Sequence, residues 1–151
     1  MDTDIRLATG LAIHDGRVLL VASTYRSHVQ PLWNLPGGRV AAGELLRETL
    51  LREVREETGL HADISELAYV SESYDGARHV LNATFAIDVE GTIALPAHGD
   101  HVVSAEWVPI DRLAERIAVA VVRDPLVQYL RDRTRYFGYQ EAGVTIEWPD
   151  H

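Results

Sequence analysis

Residues 38–60 of this chain, GRVAAGELLRETLLREVREETGL, place more glutamate on one side of a predicted helix than folding alone would select. A helix advances about 100° per residue, so positions three and four apart share a face. Glu56 and Glu57 therefore flank Glu53, and the spacing predicts three carboxylates converging within one turn. Leu50, Leu51 and Val54 fall on the adjoining side and are expected to form the buried face. Like charges at this spacing repel by a few tenths of a kcal/mol per exposed pair. The segment holds no lysine, and Arg47, Arg52 and Arg55 offset the repulsion only in part. A hard divalent cation would supply the missing charge, since Mg²⁺ takes oxygen ligands from carboxylates and substrate phosphates. A solvated acidic face is the ordinary alternative for a glutamate-rich helix.

The full segment separates these readings. It fits G-x5-E-x7-R-E-U-x-E-E-x-G-U, with U apolar, through Gly38, Glu44, Arg52, Glu53, Val54, Glu56, Glu57, Gly59 and Leu60. At average residue usage the non-apolar positions alone match by chance about once in 10⁸ windows. This pattern is the signature of the Nudix hydrolases, and the stretch resembles a complete copy of it. Trp33-Asn34-Leu35-Pro36-Gly37-Gly38 just before it resembles the family's W-x-L-P-G-G entry.

The resemblance implies an α/β fold, an αβα sandwich around a mixed β-sheet, with the catalytic loop and helix at 38–60. It implies Mg²⁺ or Mn²⁺ held by Glu53, Glu56 and Glu57 together with the Gly37 carbonyl. Arg52 would orient one of those carboxylates through a charge-assisted bond. Glu44 would support the loop–helix geometry and a metal-bound water. Glu53 is the first choice of general base. In the family a later loop often carries a glutamate six residues before the Trp of the W-V-P strand. Here that position is His101, beside Asp100, so these two are the second choice.

The rest of the chain narrows the class. Its 151 residues fit one domain, 1–151, with an ordinary balance of 46% hydrophobic and 25% charged residues. The absence of cysteine excludes disulfides, zinc–thiolate sites and thiol nucleophiles. The start, MDTDIRLATG, shows no basic region followed by an apolar core, and no apolar run approaches the ~18 residues that span a membrane. The expectation is a soluble cytoplasmic protein without a membrane partner. A net charge of −9 opposes attraction to a long phosphate backbone, so nucleic acid is not the expected partner. A small nucleotide remains compatible, because a bound cation reverses the local field.

Along the chain, residues 7–13 and 17–23 are apolar runs joined by Asp15-Gly16, a hairpin signal. Neither alternates, so both are expected to be buried on two sides. Residues 24–31 read as a loop in which Tyr25 could stack on a base and Arg26 could clamp a phosphate. Pro36-Gly37-Gly38 frees the backbone for close approach by a metal or phosphate. The helix is expected from about Gly43-Glu44 to Gly59. A second hairpin, 64–73 with 78–89, turns at Asp75-Gly76, and Leu81, Ala83, Phe85, Ile87 and Val89 predict a half-buried strand. A loop over 90–102 precedes a short strand at 105–108. Asp111 and Asp124-Pro125 are expected to cap two helices, the first through 117 and the second to about 134. The tail carries Tyr136, Phe137, Tyr139 and Trp148, with a strand expected at 144–148. So many aromatics suit packing on the body or on a second subunit in a homodimer.

The function these readings favour is metal-dependent cleavage of a nucleoside diphosphate linked to another group: a nucleoside triphosphate, a nucleotide sugar or a similar compound. The alternative is a nucleotide-sensing domain without catalysis, which usually loses signature residues that this chain keeps. Isopentenyl diphosphate isomerisation, also found on this fold, uses a cysteine that is absent here. Zinc-protease and serine-hydrolase motifs are absent as well.

Overall fold

The first apolar run serves two sheets. In the computed structural model, which describes residues 3–25, 28–96 and 101–140, it splits at Ala12 into β1 (Thr3–Leu11) and β2 (Ile13–His14). β2 forms the expected hairpin with β3 (Arg17–Ser23), and Asp15 and Gly16 both take positive φ, 52° and 72°. That conformation matches the right-handed twist of the flanking strands. β1 instead pairs antiparallel with β5 (Gly37–Arg39) and parallel with β7 (Arg78–Glu90). β6 (His61–Tyr74) and β9 (Tyr136–Gln140) complete a five-stranded mixed sheet of order β5-β1-β7-β6-β9. In the second sheet β8 (Val102–Pro109) lies along the whole of β3, while β2 and β4 (Leu32–Asn34) share its other edge.

Helices cover both sides. α1 (Leu46–Thr58) packs on β1, β5 and β6, and α3 (Ala120–Asp132) packs on β6 and β9. α2 (Leu113–Arg116) follows a 3₁₀ turn at Ile110–Arg112 and packs on α3. β3 shows why its sequence does not alternate. Val18 and Leu20 join Leu113, Ile117 and Leu126 on one side, while Leu19 joins Leu50 and Val54 on the other. All of these are fully buried, and each apolar side chain removed from water contributes roughly 1.5–3 kcal/mol. The chain is the αβα sandwich expected, built from two sheets rather than one.

Several local expectations need correction. α1 starts at Leu46, two residues past Glu44, because the Glu44 carboxylate bonds the Ala41 N–H and leaves capping to Glu48, whose side chain accepts the Leu45 N–H at 2.9 Å. It ends as expected at Gly59, φ 76°, whose N–H bonds the Arg55 carbonyl. Leu51 is exposed. The buried face is Thr49, Leu50, Glu53, Val54, Glu57 and Thr58, and a residue 100° away from Leu50 cannot also lie at its centre. Leu81 is exposed too: it lies opposite Arg6 and Glu72, whereas α1 covers the same face farther along, at Ala8 and Ile87.

Asp111 lies within the 3₁₀ turn and caps nothing, and β8 begins three residues earlier than the predicted strand. α3 begins at Ala120, so Pro125 sits inside it and Asp124 pairs with Arg123 rather than capping. Arg123 already donates to the Val119 carbonyl at 2.9 Å, and Leu126 is fully buried; packing offsets the bond Pro125 cannot make. β9 was not legible as a strand. Its Phe137 and Tyr139 pack on the core of this same chain. The strand expected at 144–148 lies outside the described residues.

Candidate active site

The two glycines before α1 act through space rather than through flexibility alone. Gly37 crosses β1 so tightly that a Cβ would stand 2.1 Å from the Ala8 carbonyl oxygen, and its φ is 150°. A Cβ on Gly38 would lie 2.6 Å from the Glu53 carboxyl carbon. Removing both side chains lets the glutamates of α1 reach the loop backbone. Glu57 does so directly, accepting the Gly37 N–H at 2.8 Å. Glu53 and Glu57 are each only 2% exposed.

Arg52 gathers the remaining carboxylates. Its Nε and Nη2 donate to the two oxygens of Glu44, each at 2.9 Å, in a bidentate fork. Its Nη1 donates to Glu53 at 3.0 Å and to Glu56 at 3.2 Å. Glu44 also accepts from Thr49 Oγ1 and the Ala41 N–H. Bonds from Arg52, Thr49 and Ala41 carry its pKa from the usual 4.5 down to about 2. Glu44 thus ties the loop ahead of the helix to Arg52, which in turn steers Glu53.

The expected convergence of three carboxylates is only partly present. Glu53 and Glu57 turn toward the loop, whereas Glu56 is half exposed and turned to Arg52. The three do not share one side because 53 and 57 follow the buried face and 56 lies 100° from 57. Among the described residues, no three His, Asp or Glu side chains are gathered closely enough to enclose an ion. The donor set still suits a hard cation, because the cluster offers only oxygen ligands and one guanidinium against four carboxylates. Mg²⁺ commonly takes one or two carboxylates and completes its shell with water and substrate phosphates.

A cleft opens over this end, lined by Tyr25, Gly37, Gly38, Arg39, Glu57 and His101 among others. Tyr25 therefore sits at the carboxylate end, where burial and the nearby Glu57 charge push its phenol pKa up. Its ring meets that of His101 at 6.5 Å. His101 also accepts, through its carbonyl, the Thr24 N–H at 2.9 Å. Arg39 is a cleft residue that sequence reasoning missed; its place next to Gly38 was the available signal. Arg26 and Asp100 lie outside the described residues.

Leu7, Thr9, Asn34 and Leu35 line both this cleft and an adjoining chamber. The chamber floor is a polar network across three neighbouring strands. Thr9 and Thr84 hydroxyls meet at 2.7 Å, and Thr9 donates to Asn82 Oδ1 at 3.0 Å. Asn82 Nδ2 donates to Thr84 at 2.9 Å and to Ser71 at 3.2 Å. Tyr69, Val121, Val122 and Tyr139 form the walls. Nothing in the spacing of these floor and wall residues announces the chamber, because they come from five elements, β1, β6, β7, α3 and β9.

A buried glutamate pair on a helix, an arginine hub and a glycine loop stand together beside the cleft and define a carboxylate-rich site of oxygen donors. The chain belongs to the NUDIX domain family, whose model matches residues 4–130. It is 34% identical over 106 residues to the ADP-ribose pyrophosphatase of Methanocaldococcus jannaschii, a match covering 69% of this chain and 61% of that one. The match thus spans about three fifths of that relative. It is 30% identical over 95 residues to the CTP pyrophosphohydrolase of Escherichia coli, covering 62% of this chain and 70% of the relative. The fold is that of a NUDIX hydrolase from Nitrosomonas europaea, with a TM-score of 0.75, 20% identity, and coverage of 92% of this chain and 80% of the other.

Proposed function

We propose that this protein is a metal-dependent pyrophosphohydrolase acting on a nucleoside diphosphate linked to another group. The observation that carries the reading is the Arg52 hub, which holds Glu44 and Glu53 in one hydrogen-bonded unit against the Gly37–Gly38 loop that lines the cleft. The substrate phosphates lie over Gly37, Gly38 and Arg39, and the base enters the adjoining chamber. Glu53, Glu56 and Glu57 would hold Mg²⁺ or Mn²⁺, with the Gly37 carbonyl beside them. Such an ion supplies charge neutralisation on the phosphates, activation of water and a template for in-line attack.

The chain's own groups do the rest. Glu53 takes the proton of the attacking water, whose oxygen bonds to phosphorus as the bridging P–O bond breaks and the second phosphate leaves as an anion. Arg52 keeps the Glu53 carboxylate aimed at the loop, and Glu44 keeps Arg52 in place. Tyr25 and His101 close the cleft mouth and reduce access of bulk water. Relatives named for ADP-ribose and for CTP support a nucleotide substrate while differing in which one.

The test is turnover of nucleoside triphosphates, ADP-ribose, nucleotide sugars and dinucleoside polyphosphates, with Mg²⁺ or Mn²⁺ and with chelator. Metal-dependent release of a nucleoside monophosphate supports the proposal. Tight nucleotide binding without turnover of any panel member contradicts it and favours a sensing domain.

A further inference from the structure

β9 lies beyond residues 4–130, the stretch that matches the family, yet it builds a wall of the chamber. It is a short edge strand, parallel to β6, and edge strands of this length hold poorly without side-chain anchors. Here the anchors are several. Arg135 donates through Nε to the Ala68 carbonyl at 3.0 Å and through Nη2 to that of Leu67 at 2.7 Å. Phe137 is buried edge-on against Tyr69, ring centroids 5.8 Å apart. On the opposite face Tyr136 donates its hydroxyl to Glu72, whose other oxygen meets His79 Nε2 at 2.6 Å. Gly138 keeps room for this contact, since a Cβ there would stand 2.8 Å from the Tyr136 hydroxyl.

This anchoring also fixes a second aromatic side chain, Tyr139, which packs against the core at the chamber. Side chains two apart on a strand share a face, so Tyr139 follows Phe137 toward α3 and opposes Ser73 in the register. It reaches the chamber beside Tyr69, Val121 and Val122. Its hydroxyl makes no hydrogen bond among the described residues, whereas the Asn82, Ser71, Thr9 and Thr84 network on the floor is bonded within itself. An aromatic face over an apolar wall, with a polar tip unspent, matches a flat heterocycle whose edge carries hydrogen-bonding groups.

We infer that Tyr139, delivered by the clamped strand β9, is a specificity-determining residue that recognises the nucleobase of the substrate. The inference rests on the reading of the cleft as a nucleotide site. It does not rest on hydrolysis, and its test therefore reads binding.

Dissociation constants of a nucleoside monophosphate and of ribose 5-phosphate are measured by calorimetry for the wild type, Tyr139→Phe and Tyr139→Leu. The nucleoside monophosphates of all common bases are tried. Leucine keeps apolar volume at the site, and thermal melts confirm that each variant is folded. The best nucleotide is expected to bind the wild type more tightly than ribose 5-phosphate. That advantage falls about ten-fold or more in Tyr139→Leu, as base–aromatic stacking predicts, and stays within about three-fold in Tyr139→Phe. Affinity for ribose 5-phosphate itself stays unchanged. An undiminished base advantage in folded Tyr139→Leu overturns the inference, as does a wild type that fails to distinguish the two ligands. If the base advantage behaves as expected while no substrate is hydrolysed, the hydrolase reading fails and the assignment of Tyr139 stands.

Discussion

The Glu53 carboxyl carbon lies 2.6 Å from the point where a Cβ on Gly38 would stand, so the second glycine of the loop is a space reserved for a carboxylate. Gly38→Ala therefore pushes Glu53 out of line while leaving the backbone intact. Turnover is expected to fall at least ten-fold with little change in melting temperature. Gly37→Ala meets the Ala8 backbone instead and is expected to destabilise by about 1–3 kcal/mol or more. Melting curves and kcat for the two variants separate the cases; equal stability loss in both would contradict the geometry.

Glu44 gives a pH signature. Its folded pKa, about 2, lies below its usual 4.5, so it contributes stability above pH 4.5 that is lost as pH falls toward 2. Wild type should lose melting temperature across that window more steeply than Glu44→Gln, and the variant should melt lower near neutral pH. Parallel curves would show that the Arg52 fork contributes nothing to folding.

The orientation of α1 is checked by a pair of neighbours. Leu50→Ala removes a fully buried side chain and should cost about 2–5 kcal/mol, whereas Leu51→Ala on the exposed side should stay within about 0.5 kcal/mol. Chemical denaturation reads both. Similar losses at the two positions would place the helix in another rotation.

Glu53→Gln keeps the shape of the side chain but cannot accept the proton. If Glu53 is the base, kcat falls roughly 10²–10⁴-fold at saturating Mg²⁺. His101→Asn and Asp100→Asn are then expected to retain kcat within about ten-fold. A larger loss at either of these than at Glu53 would move the base to the later loop.

Much of the site was legible because it is local. Residues 38–60 carry the loop, the arginine hub and the glutamates in one run, and helical spacing alone placed Glu53 and Glu57 together. That same spacing did not reveal which side of the helix is buried, since Leu51 and Leu50 are equally apolar and only the sheet beneath chooses between them. The chamber was not legible at all. Thr9, Asn34, Asn82 and Tyr139 are far apart in sequence and meet only after β1, β7 and β6 pair and β9 adds at the edge. Capping rules failed at Asp124-Pro125 because burial of Leu126 and its neighbours outweighs a local preference. Tyr25, read from sequence as able to stack on a base, lies at the carboxylate end, just past the end of β3 at Ser23.

The measurement that bears most directly on the central claim is hydrolysis of the best nucleotide in ¹⁸O-water, by wild type and Glu57→Gln, across a Mg²⁺ titration. The account predicts one ¹⁸O in a single product phosphate, turnover that requires Mg²⁺, and a variant with lower turnover and a weaker apparent affinity for the ion. A Glu57→Gln protein with wild-type turnover and an unchanged Mg²⁺ requirement would contradict it.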